Sequence, residues 1–291
     1  MTIIIESTLR YAMPLIIAAL GGMFSELSGV VNIALEGIML LGSFTAVAVA
    51  YLTGNTYLGV LAAMVGGVAL ASIHAVVSIR YKANQVVSGT AINILASGVT
   101  TMLARGLWAE GGSPPIQRIP DLTWPFRITP FVPLAFLLVA LCHWFVYYTP
   151  MGLRLRAVGE HPKAADTAGI SVERMRYFGV LMSGVLAGLA GAGLSVGLLS
   201  GFEEGMTNGR GFIALAALIF GKWTPVGACL AALLFGAATA SQTFMQALGI
   251  QIPAQFLLMA PYILTMLALA GVVGRSTPPA SVGIPYEKGA S

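Results

Sequence analysis

Runs of about 20 apolar residues recur along almost the whole chain, and this feature constrains the fold more than any other. A membrane-crossing helix needs about 20 such residues to span a hydrocarbon core of roughly 30 Å. The segments that meet or approach this length are 11–25, 36–53, 57–79, 84–104, 129–148, 177–199, 210–221, 225–246 and 254–273. Because the runs are continuous rather than alternating, the sequence predicts an all-α polytopic membrane protein with about nine spans and not a β-barrel. The segment 210–221 is short, so we expect a half-helix entering from one side.

The composition excludes several classes of protein. Charged residues make up 9% of the 291 residues, against about 25% in soluble domains, so they cannot cover the surface of a soluble enzyme of this size. Disorder requires low hydrophobicity and high charge, which is the opposite pattern. No Lys- and Arg-rich stripe accompanies the net charge of +4, so we expect no nucleic-acid binding. Cys142 and Cys229 lie far apart in apolar runs, which indicates neither a disulfide framework nor a metal pair.

The basic residues predict the orientation. The longest polar connection, 149–176, is rich in Lys and Arg, and placing it in the cytoplasm fixes the other loops by alternation. Ten basic residues then lie inside: Arg80, Lys82, Arg154, Arg156, Lys163, Arg174, Arg176, Lys222, Arg275 and Lys288. Five lie outside: Arg10, Arg105, Arg118, Arg127 and Arg210. We therefore expect the N-terminus outside, one transmembrane domain over 1–273, and a flexible cytoplasmic tail over 274–291.

A polar stretch interrupts the first apolar region. Glu26, Asn32 and Glu36 occur there with Gly29 and Gly37, where the backbone can unwind. Broken helices with ionisable residues line pathways in transporters. The alternative is a simple turn between the first two spans, with Glu36 stabilised at a helix N-terminus. The turn is favoured for Glu26, and both interpretations stay open for Asn32 and Glu36.

The inside connection contains a predicted short helix. Pro162 suits the first helical position and Gly169 suits a C-terminal cap, and small residues lie between them. A helix of two turns is marginal alone in water, and its alanines, among them Ala164 and Ala165, permit close backbone approach. Docking into another protein is therefore favoured over an ordinary solvated loop helix.

Other polar and small residues are open to two interpretations. Four polar residues within spans either line a cavity or form interhelical hydrogen bonds: Asn93, Ser97, Gln242 and Gln246. The outside pair Glu203 and Glu204 either meets a docking protein or only solvates its loop. The GxxxG pairs Gly184–Gly188 and Gly193–Gly197 indicate close helix packing.

Recognisable catalytic motifs are missing from the sequence. Gly221-Lys222 is followed by Trp223 and not by Ser or Thr, so it is not a phosphate-binding loop. There is no HExxH, GxSxG or clustered His and Cys set. The sequence therefore predicts neither an enzyme nor a metal or cofactor site.

Three stretches, 28–42, 153–170 and 209–223, resemble the permeases of ATP-binding-cassette (ABC) importers. The group is the one shared by ribose-type sugar and branched-chain amino acid permeases. Within this group, the sequences LEGIMLLG and GFIALAALIFG are most similar to those of bacterial nucleoside importer permeases of the simple-sugar branch. The resemblance covers residues 10–273, and the first of the ten spans usual in ribose-type members is missing. That omission agrees with nine spans and an outside N-terminus.

The resemblance implies a non-catalytic subunit of the bacterial cytoplasmic (inner) membrane that binds no cofactor. A separate ATPase subunit uses ATP, a second and different permease completes the pathway in the lipid bilayer, and a substrate-binding lipoprotein delivers cargo outside. The coupling helix that meets the ATPase is carried over to Gly159, Glu160, His161, Pro162, Lys163, Ala164, Ala165, Asp166, Thr167, Ala168 and Gly169. The candidates for the translocation path are Asn32, Glu36, Asn93, Ser97, Gln242 and Gln246, and those for binding-protein docking are Glu203 and Glu204.

The predicted function is import of nucleosides by alternating access, with this chain as half of the pathway. One alternative is the same machinery importing simple sugars or branched-chain amino acids. Another is a secondary transporter driven by an ion gradient, in which Glu26 and Glu36 titrate. A docking helix favours the ABC importer, because an ion-coupled carrier has no motor to meet.

Overall fold

The computed structural model describes residues 2–108, 112–123, 127–247 and 277–287. Its described part is helical, apart from an isolated bridge between Leu122 and Ile128. The α-helices are α1 (Thr2–Leu27), α2 (Leu35–Thr53), α3 (Thr56–Ala75), α4 (Gln85–Trp108), α5 (Phe131–Tyr148), α6 (Pro150–Glu160), α7 (Pro162–Thr167), α8 (Val172–Ala192), α9 (Arg210–Phe220) and α10 (Pro225–Ala247). Two π-helical turns, Val76–Arg80 and Gly193–Leu198, extend α3 and α8.

Seven of the described helices are long and apolar enough to cross a membrane, namely α1, α2, α3, α4, α5, α8 and α10 with their π-helical extensions. The eighth apolar helix, α9, is shorter. These helices coincide with eight of the predicted segments, and the ninth, 254–273, lies outside the described residues. The all-helical polytopic class is thus confirmed, while nine spans and their orientation stay predictions.

Helix α8 lies at the centre of the bundle, against α1, α2 and α3. Its contacts to α3 use glycines: a Cβ added to Gly184 would lie 2.5 Å from the Ala71 Cβ and 2.7 Å from the Gly67 carbonyl oxygen. Gly188 lies against the backbone of Ala63 in the same way. The interpretation of the first GxxxG pair as close packing is confirmed.

The second GxxxG pair lies in the π-helical extension of α8. Gly193 packs against the side chain of Met13, and Gly197 packs against Phe131. The connection after α4 covers this end of α8, since the N–H of Ile119 donates to the Val196 carbonyl at 3.2 Å. Glycines here admit large side chains from neighbouring elements rather than a neighbouring backbone.

One face of the bundle, which we call the basic face, contains six of the basic residues that the structure describes: Arg80, Lys82, Arg154, Arg156, Lys163 and Lys222. It contains the end of α1, the turn between α3 and α4, residues 149–171 and the turn between α9 and α10. The contacts that unite these elements are those of Gly159 with Leu27, Trp223 with Glu26, and Lys82 with Glu287 at 3.0 Å. The charge count predicted this grouping.

The opposite end of the bundle, the distal face, carries its own ion pairs. Asp121 accepts from Arg10 at 2.8 Å and from Arg118 at 3.0 Å. Arg210, which the charge count assigns to the outside, is the first residue of α9, and its guanidinium donates to the Met206 carbonyl at 2.9 Å. Its side of the membrane stays a prediction.

The polar connection 149–176 and the tail differ from expectation. Thr149 caps a further helix, α6, because its hydroxyl accepts from the Gly152 N–H at 3.1 Å and Pro150 fills the first turn. Residues 277–287, which we call the tail segment, were expected to be flexible. They instead hydrogen-bond to the basic face, where the Ser281 N–H donates to the Gly159 carbonyl at 2.9 Å.

Candidate functional site

The chain is not helical between α1 and α2, over residues 28–34, which we call the break. Gly29 has φ of +93°, a conformation that favours glycine. Ser28 donates its hydroxyl to the Ser25 carbonyl at 2.6 Å, and Ser25 donates to the Val30 carbonyl at 2.7 Å. These short polar side chains replace the helical hydrogen bonds that end at Leu27.

The break continues far into the bundle. Asn93 of α4 accepts from the Gly37 N–H at 2.8 Å and donates to the Ile33 carbonyl at 3.0 Å. It lies eight residues beyond Gln85, the first residue of α4, which is about 12 Å along the helix. At that depth non-helical backbone is tolerated only inside protein or beside a water-filled cavity. The break is therefore more than a surface turn.

Glu36, at the end of the break, binds the N-terminus of α9. Its carboxylate oxygens accept from the N–H groups of Gly209 at 2.8 Å and Gly211 at 2.6 Å. A Cβ added to Gly211 would lie 2.9 Å from the Glu36 carboxylate, so the helix start and the acid are in direct contact. The exposed N–H groups and the positive end of the helix dipole both stabilise an anion here.

The short helix predicted at 210–221 is present, and its entry into the membrane from one side stays a prediction. Helix α9 has 11 residues, about 16 Å, which is half of a hydrocarbon core. It begins at Glu36 and ends beside the contact between Trp223 and Glu26 on the basic face. Glu26 is 4% exposed, so it is a buried acid at the end of α1 rather than a solvated turn residue.

Asn32 and His74 hold the middle of the break. The Asn32 amide donates to the Ser183 hydroxyl of α8 at 2.8 Å. Its Oδ1 is buried and has no hydrogen-bond partner among the described residues. The His74 ring contacts the Val31 carbonyl at 2.9 Å and the Ser88 hydroxyl at 3.0 Å. The break is thus fixed to α3, α4 and α8 by polar side chains.

The other predicted path residues do not join this cluster. Ser97 is exposed on α4, one turn beyond Asn93. Gln242 is half-buried and Gln246 exposed near the distal end of α10, at least 17 residues and about 25 Å from its start. The structure brings Asn32, Glu36 and Asn93 together and leaves both glutamines apart from them.

The predicted docking acids of the distal face differ from each other. The Glu204 carboxylate forms a bidentate salt bridge with the guanidinium of Arg105, with N–O distances of 2.9 and 3.2 Å. Glu203 is exposed. Glu204 therefore has a partner within the chain, and Glu203 is the more accessible acid.

The predicted short helix α7 lies on the basic face. Pro162 occupies its first turn. At its end Gly169 has φ of +81°. The Gly169 N–H donates to the backbone carbonyl of Asp166, and the Ile170 N–H donates to the backbone carbonyl of Ala165. This double hydrogen-bond pattern is the Schellman motif, so both predicted ends of the helix are confirmed.

One side of α7 faces inward. Ala165 is 4% exposed and packs with Val158, Val172 and Tyr286. The residues that are exposed are His161, Lys163, Ala164, Thr167, Ala168 and Gly169. The expectation that both Ala164 and Ala165 belong to the docking surface is wrong for Ala165, because its methyl group fills the small core beneath the helix.

Sequence reasoning missed four contributors to these sites: the α9 glycines Gly209 and Gly211, the acid-binding Trp223, and Ser281 of the tail segment. Gly209 directly precedes α9, and because glycine is among the residues found at helix N-caps it carries a local signal for a helix start. The others depend on contacts between distant parts of the chain. Within the described residues no group of three His, Cys, Asp or Glu side chains could hold a metal ion.

Comparison with known proteins agrees with this architecture. The family model described as the permease component of the branched-chain amino acid transport system matches residues 4–272. The chain is 43% identical to the guanosine ABC transporter permease protein NupQ of Bacillus subtilis, over 99% of this chain and 98% of that one. It is 38% identical to the nucleoside ABC transporter permease protein NupC of Lactococcus lactis, over 98% and 97%. It is 37% identical to a putative glucose ABC transporter permease protein of Haloferax volcanii, over 85% and 79%. No solved structure matches significantly.

Proposed function

Since this chain belongs to the branched-chain amino acid transport system permease family, we propose that it forms half of a nucleoside pathway and couples it to a separate ATPase. The chain is a multi-pass membrane permease of an ABC importer. Nine spans, an outside N-terminus and a cytoplasmic basic face complete the proposed topology. The basic face supports that orientation, because cytoplasmic loops carry an excess of Lys and Arg.

Nucleosides are the proposed cargo. Two relatives, at 43% and 38% identity, are named for guanosine and nucleosides, and a third, at 37%, is named for glucose. The Oδ1 of Asn32, which is buried and has no hydrogen-bond partner among the described residues, is an acceptor that suits the hydroxyl and N–H donors of a nucleoside. Simple sugars and branched-chain amino acids are the alternatives.

A second, different permease is the proposed partner in the membrane. In Bacillus subtilis two permease proteins, NupQ and NupP, are both named for guanosine, and this chain is 43% and 30% identical to them. In Lactococcus lactis two proteins, NupC and NupB, are both named nucleoside ABC transporter permease proteins; this chain is 38% identical to the first over 98% of its length and 35% identical to the second over 30%. These pairs support a heteromeric pathway in which this chain takes the position of NupQ and NupC.

The observation that carries the coupling proposal is α7, a helix of six residues that begins at Pro162, ends in a Schellman motif and is exposed along one side of the basic face. So short a helix gains little from propensity, yet its Schellman motif and its buried Ala165 fix its position. A rigid protrusion of this kind suits insertion into a groove of an ATPase subunit. The ATPase binds and hydrolyses ATP, and this chain holds no cofactor.

The proposed cycle is alternating access. ATP binding favours the ATPase conformation that draws the two coupling helices together, and its differential affinity for that state supplies the work. The pathway then opens at the distal face, where a substrate-binding lipoprotein delivers cargo and Glu203 is an exposed candidate contact. Asn32, Glu36 and Asn93 form the proposed pathway element at the break.

Reconstitution of the complete transporter tests this function. The chain, its ATPase, its second permease and its binding lipoprotein are incorporated in proteoliposomes, and uptake of radiolabelled guanosine is measured. We expect uptake that requires ATP, stops when the ATPase is inactivated, and persists when a protonophore collapses the proton gradient. Unlabelled glucose and leucine should not compete. Uptake that follows the proton gradient would establish a secondary carrier, and competition by glucose would reassign the cargo.

A further inference from the structure

The tail segment 277–287 contacts the hinge between α6 and the coupling helix α7. Pro162 begins α7 and has no N–H, so the Val158 carbonyl four residues earlier has no helical donor. Ser281 supplies one, because its hydroxyl lies 3.2 Å from the Val158 carbonyl oxygen and 2.6 Å from that of Gly159. Its N–H also donates to Gly159 at 2.9 Å. Ser281 is 5% exposed, so water does not substitute easily for these bonds.

Two residues further on, the same segment contacts the break. The Gly283 N–H donates to the Gly29 carbonyl at 3.2 Å. A Cβ added to Gly29 would lie 2.8 Å from the Ser281 hydroxyl oxygen, so Ser281 lies directly between the hinge and the first residues of the break. Gly159 of the hinge in turn packs on the Leu27 carbonyl at the end of α1.

Further contacts hold the tail segment against α7 and α8. Arg176, which is 1% exposed, donates to the Ile284 carbonyl at 3.0 Å. Tyr286 packs against the small core that contains Ala165 and hydrogen-bonds to Asp166 of α7. Desolvation and this contact with Asp166 raise the pKa of the Tyr286 hydroxyl, which keeps it a neutral donor.

On the basis of the proposed function, we propose that the tail segment links the coupling helix to the break and that Ser281 is its positioning residue. The contacts to the hinge and to Gly29 are only two residues apart in the chain. Little slack therefore exists between them, and a displacement of α7 must carry Gly29 with it. The break leads to Asn32 and Glu36, so motion at the ATPase reaches the pathway element.

The test measures guanosine imported per ATP hydrolysed in the complete reconstituted transporter. The variant S281A removes the hydroxyl, S281T restores it, and S171A is the matched control, since Ser171 is an exposed serine of the same face whose side chain makes no capping hydrogen bond. A second variant, deletion of 284–291, removes the contacts to Arg176 and Asp166 but keeps Ser281. If the S281A protein accumulates poorly in the membrane, this deletion still tests the link.

We expect S281A and the deletion to lower the ratio at least threefold while the four proteins still co-purify and ATP is still hydrolysed. S281T should recover most of the ratio, and S171A should match the wild type. An unchanged ratio in both S281A and the deletion would overturn the link, as would loss of assembly in place of uncoupling. The wild-type complex reports on the proposed function and the variants report on the link, so the two failures are distinguishable.

Discussion

Replacing Glu36 tests whether the acid fixes the half-helix. In E36A the N–H groups of Gly209 and Gly211 lose their acceptors. A hydrogen bond to a charged group contributes about 1.5 kcal/mol at the lower end of its range, so two such bonds give about 3 kcal/mol, or roughly 150-fold in the unfolding equilibrium. E36Q keeps one oxygen acceptor but turns an N–H₂ group toward the second backbone donor. We expect E36Q to lower the free energy of unfolding by more than half as much as E36A does.

The assay is unfolding of the purified full chain by sodium dodecyl sulfate in mixed micelles, followed by tryptophan fluorescence. Trp223 is one of four tryptophans. It is buried and hydrogen-bonded to Glu26 just beyond the end of α9, so it reports on this helix in a background in which the other three are replaced by Phe. The matched control is E203A, which removes an exposed glutamate and should change the free energy of unfolding by less than about 0.5 kcal/mol. A cost below about 1 kcal/mol for E36A, or an equal cost for E203A, would refute the role of Glu36.

Three further results are expected. A164W should abolish co-purification with the ATPase while the permease stays folded, because Ala164 is exposed. A165W should instead destabilise α7 by overfilling the core beneath it. Equal effects of the two variants on folding would contradict this difference. G184A should lower the thermal denaturation temperature of the purified chain, since its new Cβ would lie 2.5 Å from Ala71, and an unchanged value would show that α3 and α8 can separate at no cost. N93A should lower both stability and guanosine uptake, because it leaves the Gly37 N–H and the Ile33 carbonyl without partners. Each unpaired group costs about 1–3 kcal/mol of folding free energy. Normal uptake with wild-type stability would remove Asn93 from the site.

Features governed by local chemistry could be predicted from the sequence. Apolar length located the long apolar helices that the structure describes, and it marked α9 as a short one. Pro162 and Gly169 located both ends of α7 because their backbone preferences are intrinsic. Helix α6 was missed although Thr149 and Pro150 are a good helix start, since its polar surface resembled that of a loop.

Contacts between distant residues could not be predicted in the same way. Glu36 and its donors in α9 are separated by 173 and 175 residues, and nothing in the pattern around either end specifies the other. The same holds for Ser281, which is 122 residues from Gly159. The inward side of α7 also depended on packing, because a helix of six residues has too few positions for a hydrophobic period to show.

The glycine contacts of α8 determine which parts of the bundle can move relative to each other. Gly184 and Gly188 place backbone directly on α3, and Gly191 does so on Met39 of α2. At these glycines only backbone and short side chains such as Ala71 lie between the helices, so sliding one past another would force main-chain atoms together. We therefore expect α2, α3 and α8 to move as one body and rearrangement to fall on α4, which is less buried than these three helices. Spin labels on α3 and α8 should report one distance throughout a transport cycle, whereas labels on α4 and α8 should report two.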